Sequence, residues 1–355
     1  MDKIKMGYVG CGFMAQVVHI PNILNTPDIE LVAIAEIREK LGKKIQEKYK
    51  IPKLFKDHLA LAQDPEITAV GVSGHFVNQG EIAADLLLAG KNVFMEKPMA
   101  VSVKQAEKIL QAEEKGGSRL MVAYMKRYDM GNELAKRIID ELKQTGNLGK
   151  IIYARNHGFC GRSWTAGGDS KYETTDEPIP ATPEIKIDWL PEKYTNQYIG
   201  YLQQYTHNVN LIRYLLDSEK TPEVKFVDLD TDSYTGIVIF EVNNIRVAIE
   251  SGTSSYYGWE EHTQVYFEHG WVKISSPPLF LRNAAANVEI YEGGDIQNFS
   301  IPFPGWGWSY KREIEHFADC LKNNKPFRSS GQDALNDVRF FENVFKMLVK
   351  KENLS

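Results

Sequence analysis

Cysteine is scarce in this chain: its 355 residues include three, Cys11, Cys160 and Cys320. They are far apart and odd in number, unlike the even sets of a disulfide framework or the close pairs of zinc and redox motifs, so reduced thiols are expected. Histidine offers no metal site, because His157, His207, His262 and His269 show no paired ligand spacing. Long hydrophobic runs are also missing. The opening MDKIKMGYVGCGF is a short polar lead into an apolar run without a cleavage-site pattern, and no later segment could span a bilayer. The expected location is the cytoplasm, with no membrane partner. A formal charge of −5, with no long block of like charges, gives no general attraction to nucleic acid or anionic membranes. What remains is an ordinary globular composition, 43% hydrophobic and 11% aromatic, in a chain too long for one average domain. Two domains are expected, with small molecules or other protein chains as partners.

Strand and helix patterns alternate through the first third. KIKMGYVG reads as a strand, GCGFMAQVVHIPNIL as the helix after it, LVAIAEI as a buried strand and REKLGKKIQEKYK as a charged helix closed by Pro52. TAVGVSG, the helix GEIAADLLLAG, the strand NVFMEKP, the helix VSVKQAEKILQAEEKG and the strand LMVAY continue the series. Such alternation implies a parallel sheet with right-handed crossovers and helices on both faces, a doubly wound α/β domain over residues 1–124. From 125 to 355 the texture changes. A helix, GNELAKRIIDELKQTG, precedes the β-rich runs KIIYARNHGF, TGIVIFEV, IRVAIESGTS and TQVYFEHGWVKI, which predict an α+β domain with a large, mostly antiparallel sheet. Residues 162–198, rich in Gly, Pro, Thr and charge, are too many for a simple connector and read as a functional or partly disordered loop region. Two terminal helices, YKREIEHFADCLKNN and ALNDVRFFENVFKMLVKK, are free to pack back on the first domain.

The first chemical motif is Gly10-Cys11-Gly12-Phe13-Met14-Ala15, a G-x-G-x-x-A turn between the first strand and first helix. Gly10 permits the tight turn, Gly12 lets a pyrophosphate approach the backbone, and Ala15 permits close helix packing; the helix N-terminus supplies donors and positive potential. Glu36 ends the second strand at the distance the fingerprint demands, where it can accept from an adenosine ribose and repel a 2′-phosphate, favouring NAD over NADP. Arg38 leaves two alternatives open, stacking on adenine or pairing with that phosphate, and a solvated arginine at a helix start.

Glu96-Lys97-Pro98 then falls at the carboxyl end of a later parallel strand, where ligands bind in open α/β sheets. With G-x-G-x-x-A, AGKNVFMEKP, MVAYMKRYD and GNLGKI in this order and spacing, the chain resembles the glucose-fructose oxidoreductase/inositol dehydrogenase/MocA family over essentially its whole length. The resemblance implies that Lys97 lies beside the nicotinamide and the reacting oxygen, where an ammonium stabilises a developing alkoxide. It places Lys126 and Arg127 on the substrate side of the cleft, against the plainer reading of a basic pair flanking a helix start. It also matches Gly200–Asn210 to a family helix carrying an Asp and, four residues later, a His that accepts a proton. His207 matches that His and is expected to be the general base, while Gln203 stands where the family has Asp. A neutral amide can orient an imidazole but cannot raise its basicity. Asn210, on the same face, is expected to bond the sugar or its helix neighbourhood. Where many relatives carry a T-P pair and a His, this chain reads Ser73-Gly74-His75 at a strand end, leaving backbone contact with the cofactor as the expectation.

Substrate candidates come from aromatic, polar loops: Arg162 and Trp164, Trp189 and Tyr194, Trp306 and Trp308. Aromatic faces pack on the C–H face of a pyranose and amides or guanidinium groups satisfy its hydroxyls. The expected activity is oxidation of a secondary ring hydroxyl of a sugar or glycoside, at C3, by an NAD-dependent enzyme that in some relatives retains its cofactor. An inositol dehydrogenase and a noncatalytic NAD or sugar sensor remain the alternatives, the loss of the family Asp favouring the sensor. Relatives bury the open face of the second sheet against another subunit, so a homo-oligomer is expected.

Overall fold

Apolar strands buried on both faces build the first of two sheets. In the computed structural model β1 (Ile4–Val9), β2 (Ile29–Ala35), β3 (Lys53–Phe55), β4 (Ala69–Val72), β5 (Asn92–Glu96) and β6 (Leu120–Ala123) pair in parallel, in the order β3-β2-β1-β4-β5-β6. Helices α1 (Ile20–Leu24), α2 (Glu39–Tyr49), α3 (His58–Ala62), α4 (Phe76–Leu88) and α5 (Val103–Gly116) connect them. The order runs outward from β1 in both directions, so the carboxyl ends of β1 and β4 form the switch point at which such sheets bind ligands. The structure describes residues 2–161, 165–166, 171–179, 181, 186–230, 232 and 234–352. Strand residues Val9, Val72, Val93, Met95 and Val122 and helix residues Leu86, Leu87 and Ile109 share one core. The helices carry the caps that their ends require: Ser102 accepts the Gln105 N–H at the start of α5, and Gly117, at φ 61°, ends it.

Local chemistry departs from the simple pattern in two places. The segment after the glycine turn is not one α-helix; Ala15–His19 winds as a π-turn and hands over to α1, with Pro21 in its first turn. Helix α4 begins at Phe76, ahead of the GEIAADLLLAG run, so Ser73-Gly74-His75 is the whole connection from β4. The three-residue β3 and five-residue α3 have too few residues for a periodic signal and were not expected.

The second sheet follows α6 (Met130–Thr145). It comprises β7 (Ile151–Cys160) and, after α7 (Thr195–Leu215), β8 (Glu223–Leu229), β9 (Gly236–Val242), β10 (Ile245–Thr253), β11 (Trp259–Phe267), β12 (Gly270–Ser275), β13 (Asn287–Glu292) and β14 (Asn298–Ser300). Their order is β14-β13-β12-β11-β7-β10-β9-β8, antiparallel throughout except for the β7–β10 pair. Alternation assigns the faces. Ala154, Val247, Val238, Phe240, Val265 and Val272 are buried on one, whereas Tyr153, His157, Tyr266, Trp271 and Tyr291 stay half-buried on the other. The chain ends in α8 (Ser309–Lys322) and α9 (Gly331–Glu352).

Two compact units result. One contains Met1–Tyr124, Ser170–Lys186 and Tyr310–Val338; the other contains Met125–Asp169, Ile187–Ser309 and Arg339–Ser355. Among the described residues no helix is long and apolar enough to cross a membrane.

Candidate active site

The turn after β1 is shaped by close backbone packing. Gly10 sits at φ 90°, and a Cβ there would lie 2.5 Å from the Ser73 carbonyl oxygen, so only glycine fits between the ends of β1 and β4. The Ser73 N–H donates to the Val9 carbonyl at 3.1 Å, holding the two strand ends together. A Cβ on Gly12 or on Gly74 would meet nothing within 4 Å. These two glycines therefore border open space, a cradle of bare backbone suited to a pyrophosphate. Ala15 is fully buried beneath the turn, Phe13 meets Tyr172 edge to face at 5.3 Å, and Met14 precedes the π-turn. His75 is the residue before α4 and stacks on Phe76.

Glu36 is 5% exposed and already engaged: it accepts from the Cys11 N–H at 2.8 Å and from Arg38 Nε at 2.8 Å and Nη2 at 3.1 Å. Arg38 is thus neither a solvated arginine nor a free phosphate partner; its guanidinium pairs with Glu36. Burial, followed by the Glu36 charge, pushes the Cys11 thiol well above its ordinary range, so Cys11 stays protonated.

At the end of β5 three side chains that the sequence patterns did not single out fix the Lys97 backbone. Gln79, fully buried on α4, donates from Nε2 to the Glu96 carbonyl at 2.8 Å and to the Pro98 carbonyl at 2.7 Å, the carbonyls either side of Lys97. Glu96 accepts the Lys97 N–H at 3.2 Å and pairs with His19 Nε2 at 2.7 Å. His19 in turn lies within a ring cluster of Tyr8, Phe94 and Tyr310. Glu313, also fully buried, has both carboxyl oxygens without a hydrogen-bond partner. Burial, with repulsion from Glu96 second, raises it well above the carboxylate range, so it is a neutral acid at neutral pH. Only the presence of polar residues at interior helix positions hinted at this set.

In the second unit α7 carries Gln203, exposed, and His207, 7% exposed, one helical turn apart. Below them runs a buried polar network: Asn208 donates to Asn156 at 2.7 Å and to Glu261 at 3.3 Å, Asn156 donates to Thr263 at 2.8 Å, and Lys126 pairs with Glu261. Arg127 donates from Nε to Asn210 Oδ1 at 2.6 Å and lies over the Tyr214 ring. Lys126, Arg127 and Asn210 therefore support α7 from inside the unit. Trp308 is 8% exposed; its Nε1 donates to the Leu279 carbonyl at 3.4 Å, and Arg282 stacks on it. With Lys126 and Asp129 it lines a pocket of about 340 Å³. Trp306, 77% exposed, meets Phe303 edge to face. Trp189 is covered by Lys346 and Tyr198, and Tyr194 is buried. Arg162 and Trp164 lie outside the described residues.

Comparison with known proteins agrees with this geometry. Residues 4–124 match the model of the Gfo/Idh/MocA oxidoreductase family, described as an NAD-binding Rossmann fold. The chain belongs to this family. Inositol 2-dehydrogenase of Salmonella typhimurium is 26% identical over 326 residues, 91% of this chain and 87% of that protein. Among solved structures, aldose-aldose oxidoreductase of Caulobacter crescentus superposes with a TM-score of 0.72 at 19% identity, covering 98% of each chain. The sugar 3-ketoreductase KijD10 of Actinomadura kijaniata, in its complex with TDP-benzene and NADP, gives 0.72 at 17%, covering 97% of this chain and 98% of that one. The protein is an oxidoreductase whose nucleotide is a nicotinamide dinucleotide, held by the Gly10–Ala15 turn and the strand ends at Glu36 and Ser73.

Proposed function

We propose that this oxidoreductase removes hydride from a secondary ring hydroxyl of a sugar or glycoside, at C3, leaving a 3-oxo sugar. The observation that carries the proposal is the mounting of Lys97: a lysine at the carboxyl end of a central parallel strand, its flanking carbonyls clamped by a buried glutamine and its own N–H by Glu96. Bound nicotinamide supplies the hydride acceptor. Lys97 donates to the substrate oxygen and stabilises alkoxide character there, a preorganised charge in a site with few competing waters. His207 accepts the hydroxyl proton, and Gln203, one turn away, holds it or a neighbouring hydroxyl as donor and acceptor. Trp306, Trp308, Arg162 and Trp164 contribute to the sugar-binding surface. Lys126 and Arg127 act through the helix they support rather than by touching sugar.

An inositol ring presents the same row of secondary hydroxyls, and the 26% identity to an inositol 2-dehydrogenase over most of the chain favours inositol as the second reading. Mass spectrometry of free sugars, inositols and glycosides incubated with NAD and the protein separates the two by which compound loses two hydrogens. The absence of any product despite NAD binding would favour a sensor, the reading to which Gln203 points. The aromatic outward face of the second sheet, with Tyr153, Tyr266, Trp271 and Tyr291, is proposed as the contact between copies in a cytoplasmic homo-oligomer.

A further inference from the structure

Helix α2 starts without a capping side chain of its own, Arg38 standing at its N-cap. The missing cap comes from far along the chain. Glu177 accepts the Lys40 N–H on one carboxylate oxygen and the Leu41 N–H on the other, both at 3.1 Å, and Thr175 Oγ1 donates to the same carboxylate at 2.9 Å. The rest of residues 171–179 is stitched along the same surface. Tyr172 meets Phe13 of the glycine turn edge to face. Glu173 and Gln16 exchange two hydrogen bonds, at 2.7 and 3.0 Å. Lys40 pairs with Asp176, Lys48 with Glu173, and Lys44 donates to the Thr174 carbonyl. This segment, part of the same compact unit as the sheet, straps the glycine turn to the first turn of α2.

In dinucleotide-binding sheets the end of the second strand and the turn leading out of it read the adenosine 2′ position: an acid there bonds a 2′-hydroxyl, and an arginine or free helix donors accept a 2′-phosphate. Here each phosphate-binding element is already engaged. The Arg38 guanidinium is paired with Glu36, the first N–H groups of α2 hold Glu177, and Lys40 is paired with Asp176. Two carboxylates, Glu36 from the strand end and Glu177 from the strap, flank the position.

We infer that residues 171–179 form part of the dinucleotide site and that Glu177, by occupying the N-terminus of α2, makes the chain select NAD over its 2′-phosphorylated form. The inference rests on the dinucleotide-binding reading of the glycine turn. A phosphate has to displace the Glu177 carboxylate or approach beside it, whereas a 2′-hydroxyl meets neither penalty. The partly exposed position weakens the repulsion and makes it salt-dependent.

Equilibrium titration by calorimetry of the full chain with NAD and NADP, and with 5′-AMP and adenosine 2′,5′-bisphosphate as fragments, tests this without turnover. The natural protein should bind NAD at least about tenfold tighter than NADP at low salt. Glu177→Gln should cut that ratio by about fivefold or more, and shift the fragment pair alike, while NAD itself moves less than about threefold. Asp176→Asn, which removes the adjacent strap charge without touching the helix N-terminus, should leave the ratio within about twofold, and thermal melts establish that both variants are folded. A preference for NADP, an unchanged ratio in Glu177→Gln, or an equal change in Asp176→Asn would overturn the assignment while leaving the dinucleotide site standing. Binding of neither nucleotide to the natural protein overturns both.

Discussion

Replacing Gln79 by leucine removes the clamp on Lys97 at nearly constant volume. Two buried carbonyls, of Glu96 and Pro98, lose their donor, and each buried group left unmet costs about 1–3 kcal/mol. Against this, Gln79 Oε1 has no partner, and removing it returns roughly 1–2 kcal/mol. The net expectation is a loss of about 2–3 kcal/mol, out of a total stability on the order of 10 kcal/mol. Urea unfolding should show a lower midpoint with an unchanged slope, because the surface exposed on unfolding is the same. The consequence for chemistry is larger than the loss of stability implies: freeing the backbone on both sides of Lys97 lets its ammonium drift, and a displacement of about 1 Å costs up to a hundredfold in rate. Turnover measured well below the unfolding midpoint should fall at least about tenfold while NAD binding holds, since the glycine turn is untouched. Unchanged stability together with unchanged turnover would refute the claim that Gln79 mounts the lysine.

Other outcomes rest on the same geometry. Gly10→Ala places a Cβ 2.5 Å from the Ser73 oxygen at positive φ and should destabilise the fold by about 2 kcal/mol or more, read from thermal melts. Gly12→Ala, where a Cβ meets nothing, should leave stability within about 1 kcal/mol yet weaken NAD binding at least about tenfold in the same titration. Glu313 has its folded pKa raised by burial and then by Glu96. Its stabilising proton is therefore fully present below the unfolded value of about 4.3, and the stability is lost as pH rises from there toward the folded value. The neutral isostere Glu313→Gln should remove that slope, so chemical unfolding from pH 5 to 7 should show the variant gaining on the natural protein by up to about 1.4 kcal/mol per pH unit. Parallel curves would mean that Glu313 is ionised in the fold.

What was legible in the sequence was local. The glycine turn, the acidic end of β2 and the placement of Lys97 at a strand end are set by residues within a few positions of one another, where turn chemistry and periodicity act directly. Contacts set by distant pairing were not legible. Gln79 reaches the carbonyl of Glu96 from another element, Glu177 lies 136 or more positions from the helix it caps, and nothing in their neighbourhoods announces either partner. Lys126 and Arg127 illustrate the converse: a basic pair beside a cleft motif reads as ligand-facing, but burial behind Glu261 and Asn210 assigns both to internal support. The same holds for sheet order. β7 and β10 have alternating patterns that suit either direction of pairing, and only the assembled sheet makes them parallel neighbours. Strands β8, β13 and β14 passed unremarked, β8 because exposed charged residues interrupt its pattern and β14 because three residues carry no period.

The most direct test of the whole account is mass spectrometry of a pooled panel of free sugars, inositols and O- and C-glycosides, incubated with NAD and either the natural protein or Lys97→Ala. The account predicts that a sugar or glycoside loses two hydrogens with the natural protein. With the variant the same product should form at least about a hundredfold more slowly, although NAD still binds. Equal oxidation by both proteins would contradict the role given to Lys97, and failure of the natural protein to bind NAD would contradict the account at its base.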